Sequence, residues 1–188
     1  ALLLILIPLL GGVVSFFLKE EKAAKSFSLL ASLAALAVMI FGFMNRTEAA
    51  MQFQAAWLPQ LGSSFALKMD GMSMMLCFLT ALAYPVIFIS TFRNKYKDPN
   101  SFYGFMLLAQ AGITGVFLAA DGLLFYFFWE LALIPVYFLC SKWGGERRIA
   151  VTFKFFIYTF VGSLLMLVGL LYLYYQTPDL SFSLQSLY

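Results

Sequence analysis

Long apolar segments separated by short polar loops dominate this chain. A helix needs about 20 apolar residues to cross a hydrocarbon core of roughly 30 Å. The pattern predicts six spanning helices, at about 1–18, 26–44, 72–92, 102–120, 123–141 and 150–175. The link at 45–71 alternates weakly and contains turn residues, which predicts a surface hairpin or an irregular cap. We therefore expect residues 1–188 to form one membrane domain.

Composition supports the same class of protein. Hydrophobic residues make up 63% of the chain and charged residues 11%, against about 25% charged residues in a typical soluble domain. The apolar segments are too continuous for the alternating strands of a membrane barrel, so we expect an all-α membrane protein in a lipid bilayer. No basic groove with interleaved aromatic residues lies outside the segments, so no nucleic-acid partner is expected.

The cysteine and histidine content argues against a redox centre. The sequence has no histidine and two cysteines, Cys77 and Cys140, which lie in different apolar segments. These residues are too few for an iron–sulfur cluster, a haem with its usual ligands, or a zinc site. We expect neither a cofactor nor a metal in this chain and interpret both cysteines as small apolar side chains.

Basic residues in the short loops predict the orientation. Three groups follow the first, third and fifth segments: Lys19, Lys22 and Lys25; Arg93, Lys95 and Lys97; Lys142, Arg147 and Arg148. The opposite side has only Arg46 and Lys68. Because basic short loops stay on the cytoplasmic side, both ends of the chain and the link at 45–71 are expected on the outer side.

Glu130 lies near the middle of the fifth apolar segment. A carboxylate at that depth costs about 2.5 kcal/mol or more, and such residues commonly mark an ion or proton path. Pro135 follows five positions later and cannot donate a hydrogen bond to the Leu131 carbonyl. We expect Pro135 either to kink the helix so that water can enter, or to be an ordinary proline of a membrane helix.

Lys154 is the second charge within a membrane segment. It lies about 9 Å along the helix past the short loop at 143–148, which predicts that the fifth and sixth helices are adjacent. Lys154 either reaches toward Glu130 or snorkels to the inner surface. A buried acid whose proton is controlled by a nearby positive charge is an element of a proton pump, so both are candidate proton-translocating residues. The polar stripe predicted around Lys154 also includes Tyr158, Thr159, Gly162 and Ser163.

Several other polar and small residues are interpreted as structural, as helix caps or as sites of helix contact. Asp70 and Asp121 each precede a glycine at the start of a segment and are interpreted as helix caps. Small residues predict close approach between helices. They are Gly104, Ala111 and Gly115 in the fourth segment, and Gly162 with Ser163 in the sixth.

Four stretches carry a family resemblance: residues 67–73, 127–139, 143–148 and 154–165. They resemble the antiporter-like subunit M (chain 4) of proton-translocating NADH:quinone oxidoreductase, respiratory complex I. The resemblance implies a translocase subunit of the bacterial inner (plasma) membrane that moves protons by charge coupling and carries no redox chemistry itself. Glu130 matches the family's essential glutamate, and Lys154 matches a lysine common in the bacterial proteins. Neighbouring antiporter-like chains are the implied partners, with flavin, iron–sulfur clusters and quinone in partner subunits.

The family is longer than this chain. Its members have about fourteen helices with two inverted repeats, so the chain corresponds to the N-terminal part of that fold. It lacks the broken seventh helix, whose lysine usually partners the glutamate, and the second half-channel. Two alternatives stay open: the D subunit of a multisubunit sodium/proton antiporter, and a non-transporting structural membrane subunit. The loop at 143–148 favours complex I over the antiporter, and Glu130 argues against a purely structural role.

Overall fold

The computed structural model describes residues 1–45 and 51–184. Their main elements are α1 Leu2–Ser15, α2 Glu21–Met44, β1 Gln52–Leu58, β2 Ser63–Lys68, α3 Gly71–Thr91, α4 Pro99–Leu118, α5 Gly122–Trp143 and α6 Arg148–Gln176. Each helix from α2 to α6 is long and apolar enough to cross a membrane. Helix α1, with 14 residues, is shorter than the span predicted there. The predicted class, a helical membrane protein, is confirmed.

Helix α4 lies at the centre of the bundle and packs against α1, α2, α3 and α5. Glycines allow these contacts. A β carbon on Gly104 would lie 3.1 Å from the Gly12 carbonyl oxygen of α1, and one on Gly115 would overlap the Phe128 ring of α5. The predicted close approach at Gly104 and Gly115 is thereby confirmed. At Gly162, no described atom lies within 4 Å of such a carbon, so this part of the chain shows no close approach there.

The link between α2 and α3 contains the predicted hairpin. Strands β1 and β2 pair antiparallel, from Gln52 opposite Lys68, and the turn ends at Gly62 with a left-handed φ of 62°. The hairpin is attached to the bundle, since the Ala120 amide donates to the Ala66 carbonyl at 2.8 Å. Residues 46–50, which include Arg46, lie outside the described residues.

The basic loops lie together at the other end of the bundle. The Lys25 ammonium donates to the carbonyls of Phe92 and Asn94, both at 3.1 Å. The Trp143 indole donates to the Lys97 carbonyl at 2.7 Å. Ala1 packs near the hairpin, and the chain at 182–184 bonds to it and to the start of α5. The structure therefore separates the basic loops from both described ends, in the relative arrangement that the charge pattern predicts.

A capping box begins α3. The Asp70 carboxylate accepts from the Ser73 amide at 2.8 Å, and the Ser73 hydroxyl accepts from the Asp70 amide at 2.7 Å. The hydrogen bonds from Ser73 hold the pKa of Asp70 below its ordinary value. The predicted capping role of Asp70 is confirmed.

Candidate functional site

Asp121 positions the helix that carries Glu130. Its carboxylate accepts from the amides of Leu123 and Leu124 at 3.0 and 3.1 Å, which confirms the predicted cap. It also accepts from the Ser63 hydroxyl at 2.9 Å and the Ser64 amide at 3.1 Å. One buried carboxylate therefore satisfies free donors at the start of α5 and joins that helix to β2.

Glu130 contacts two hydroxyl groups. It lies near the middle of α5 and is half-buried. The Ser163 hydroxyl oxygen of α6 lies 2.5 Å from Glu130 Oε1, and Ser163 is only 3% exposed. The Tyr126 hydroxyl, one turn earlier on α5, interacts with both the Glu130 carboxylate and the Ser163 hydroxyl. We call Tyr126, Glu130 and Ser163 the acid cluster.

Helix α6 presents one narrow face to α5. Ser163 and Thr152 are its two buried residues. They are eleven positions apart, about three helical turns, so they lie on the same face. Most other side chains of α6 are exposed in the described part of the chain. The face marked by Thr152 and Ser163 is therefore the one that packs on α5.

Lys154 lies on the opposite face of α6. It is nine positions from Ser163, about two and a half turns, and its side chain is exposed. Within residues 1–45 and 51–184, the one salt bridge is Lys25–Glu21 at 2.7 Å. The structure thus brings Glu130 together with Ser163 and not with Lys154. It also divides the predicted polar stripe, because Lys154 and Tyr158 are exposed whereas Ser163 faces α5.

Pro135 is buried within α5, which runs unbroken from Gly122 to Trp143. A proline at this position cannot supply the amide hydrogen that the Leu131 carbonyl would accept in a regular helix. That carbonyl belongs to the residue next to Glu130. The Leu131 carbonyl, one residue after Glu130, therefore has no helical amide donor at position 135.

The acid cluster suits proton exchange. It combines one carboxylate with two hydroxyls, each able to donate and accept a hydrogen bond. The sequence pattern groups Ser163 with the stripe around Lys154 and does not single out Tyr126. The available signal was spacing: Tyr126 and Glu130 are four positions apart on α5, which puts both on one helical face.

These features describe a helical membrane protein with a glutamate held between two adjacent helices. Residues 119–188 match the family described as NADH:quinone oxidoreductase/Mrp antiporter, transmembrane. This part of the chain is similar to that family, and the resemblance predicted from the sequence is confirmed.

Two relatives of the chain are longer than it is. It is 44% identical over 179 residues to "F(420)H(2) dehydrogenase subunit M" of Methanosarcina mazei, covering 93% of this chain and 36% of the relative. It is 36% identical over 187 residues to an NAD(P)H-quinone oxidoreductase chain 4 of Picosynechococcus, covering 96% of this chain and 35% of the relative. The chain therefore spans about a third of the length of these relatives.

Solved structures share the fold. In respiratory complex I from Thermus thermophilus, one chain matches with a TM-score of 0.87 and 28% identity, over 98% of this chain and 38% of that one. A chain of the membrane-bound sulfane sulfur reductase, an archaeal respiratory complex, matches with a TM-score of 0.77 and 22% identity, over 96% of this chain and 28% of that one. The second likeness concerns the fold alone.

Proposed function

We propose that this chain is part of a proton-translocating membrane subunit of a quinone oxidoreductase of the complex I type, and that Glu130 takes up and releases the proton. The 2.5 Å contact between Glu130 and the buried Ser163 hydroxyl supports this most directly. A carboxylate within a membrane helix is costly, and a structural subunit has no need of one. A paired, half-buried acid is what a proton path requires.

Lys154 is proposed as the charge that acts on Glu130 in this subunit. Since the two residues form no ion pair in the described chain, the proposed coupling acts at longer range. A positive charge moving toward Glu130 favours proton release, and its withdrawal favours proton uptake.

A sodium/proton antiporter subunit is the alternative from the same family, whose description includes the Mrp antiporters. The two relatives compared above are oxidoreductase subunits, which supports the first proposal. Reconstitution of the intact complex into vesicles separates the two. We expect acidification of one compartment when electron donor and quinone are supplied together. Proton movement driven by a sodium gradient, with no response to donor and quinone, would instead identify an antiporter.

Partner subunits are proposed to hold the redox chemistry. We place flavin, iron–sulfur clusters and quinone there, beside neighbouring antiporter-like membrane chains. The two relatives are named for different donors, F(420)H(2) and NAD(P)H. Since the chain is similar to both, the donor is proposed to be a property of the partners. Donor oxidation by the purified complex, measured with each compound in turn, identifies it.

The basic loops are expected on the cytoplasmic side of the bacterial inner (plasma) membrane, with both ends of the chain outside. In a background without Cys77 and Cys140, Lys95→Cys should resist an impermeant thiol reagent added to intact cells. Gln54→Cys, exposed on the hairpin, should react and serves as the matched control. Reaction at position 95 with protection at position 54 would reverse this orientation.

Lys154→Ala should lower proton translocation severalfold, and less than removal of the Glu130 charge, because Lys154 forms no ion pair with the acid among the described residues. Lys154→Arg keeps the charge and should retain most activity. The control is Lys142→Ala, which removes an exposed positive charge near the same end of the bundle. The measurement is the coupled rate per assembled complex. Equal rates for Lys154→Ala, Lys142→Ala and wild type would contradict a role of Lys154 in translocation and would indicate that its side chain only snorkels to the membrane surface.

A further inference from the structure

We infer that Ser163 is a positioning residue whose hydroxyl reverses its hydrogen bond each time Glu130 gains or loses a proton. The inference rests on the proposed role of Glu130 and adds to it. Its basis is geometric: the Ser163 oxygen lies 2.5 Å from Glu130 Oε1 and 2.8 Å from the Phe160 carbonyl oxygen. Both of these oxygens are acceptors when the acid is ionised, and the Tyr126 hydroxyl, which also interacts with Ser163, can donate or accept.

A serine hydroxyl has one hydrogen, so it cannot donate to both neighbours at once. When Glu130 is ionised, the hydroxyl donates to the carboxylate, which gains a short charge-assisted bond. When Glu130 is protonated, the acid donates to the Ser163 oxygen, and the hydroxyl turns toward the Phe160 carbonyl. Ser163 keeps its single hydrogen throughout, and only the direction of that hydrogen changes.

This arrangement keeps the acid cluster hydrogen-bonded in both protonation states. A buried polar group left without a partner is costly, so a site that titrates within a membrane benefits from a partner that can both donate and accept. Ser163 is 3% exposed, which leaves little room for bulk water to replace it. The Tyr126 hydroxyl provides a second interaction with the same carboxylate.

The elements around Glu130 carry other titratable and charged groups, so their positions matter for its titration. Tyr126 is its titratable neighbour on α5. Helix α4 carries no charged residue, and its Tyr103 bonds with Thr91 at the far end of the bundle. On β2, Lys68 is exposed. The exposed titratable and charged groups of α6 are Arg148, Lys154, Tyr158, Tyr172 and Tyr175, whereas its Tyr174 stacks on Phe182. The hydroxyl of Ser163 is therefore the main polar partner that α6 offers.

Ser163→Ala in the full-length subunit of the assembled complex tests the inference. The ionised acid loses a stronger bond than the protonated acid does. The pH profile of coupled proton translocation should therefore move upward by about one pH unit, a roughly tenfold change in proton affinity. Ser163→Thr keeps the hydroxyl and should restore the profile. Thr159→Val is the matched control, because the Thr159 hydroxyl, one turn away, bonds to the Phe155 carbonyl of its own helix.

Infrared difference spectroscopy separates this role from a purely structural one, which would leave the carbonyl stretch of protonated Glu130 unchanged. The carbonyl stretch of protonated Glu130, assigned by its loss in Glu130→Gln, should shift to higher frequency in Ser163→Ala and return in Ser163→Thr. If Ser163→Ala fails to assemble, Ser163→Cys fills the same space with a much weaker donor and should show the same shifts.

The outcomes separate this inference from the proposed function. An unchanged pH profile and carbonyl band in the Ala or Cys variant overturn the switching role of Ser163, even if the rate falls. In that case Glu130→Gln still stops translocation. Full translocation by Glu130→Gln would instead overturn the proposed function, and the inference with it.

Discussion

Glu130→Gln should remove most proton translocation while the complex still assembles. Glutamine has nearly the shape of glutamate and can still bond to Ser163, but it cannot take up and release a proton. Loss of a group that transfers protons typically lowers a rate on the order of 100-fold, and we expect at least about a tenfold loss here. Coupled quinone reduction should fall with it. Donor oxidation by an artificial acceptor should continue, because the redox groups are proposed to lie in partner subunits.

Glu130→Asp is a second variant, which tests whether the position of the acid matters as well as its charge. It keeps the acid but shortens the side chain, so the 2.5 Å contact with Ser163 cannot form in the same geometry. We expect intermediate translocation in this variant. Both rates are measured per assembled complex in vesicles. Translocation at the wild-type rate in Glu130→Gln would end the assignment of Glu130 as the proton carrier.

Gly112→Ala should weaken the packing between α4 and α5 and lower translocation with it. A β carbon on Gly112 would lie 2.7 Å from both the α carbon and the amide nitrogen of Ala132. These are main-chain atoms, so α5 itself has to move, and overpacking of this kind typically costs about 1–3 kcal/mol. Ala132 is two positions from Glu130, so the movement also displaces the acid from Ser163.

Gly42→Ala on α2 is the control, since no described atom lies within 4 Å of the added carbon. Alanine is the better helix former, so this change should leave stability unchanged or slightly raised. The midpoint of thermal unfolding of the assembled complex measures both variants. A lower midpoint for Gly112→Ala alone is expected. Equal midpoints for the two variants would contradict the close packing of α4 on α5.

Local features of this fold were predictable from the sequence because they depend on neighbouring residues. The aspartates at positions 70 and 121 cap the helices that follow them, and turn residues mark the hairpin. The glycines at 104 and 115 were identified as sites of close approach, whereas Gly112 was missed. Which glycine faces the backbone of a neighbour depends on the rotation of both helices, which residue type alone does not specify.

The partner of Glu130 required the structure for the same reason. Spacing predicted that α5 and α6 are adjacent, and charge drew attention to Lys154. Helix α6 is apolar on nearly every side, so its hydrophobic pattern does not indicate which face packs on α5. Only the buried positions of Thr152 and Ser163 reveal that face, and they place Lys154 on the other side. An uncharged hydroxyl thus contacts the acid where a charged partner was one of the predictions.

The most direct test of the central proposal is whether Glu130 changes its protonation during turnover. Infrared difference spectra of the reconstituted complex, recorded with and without donor and quinone, report protonated carboxyl groups. We predict a carboxyl band that appears and disappears with turnover in the wild-type complex and is missing in Glu130→Gln. A turnover-dependent band that persists unchanged in Glu130→Gln, or no carboxyl band in a complex that translocates protons, would contradict the proposal.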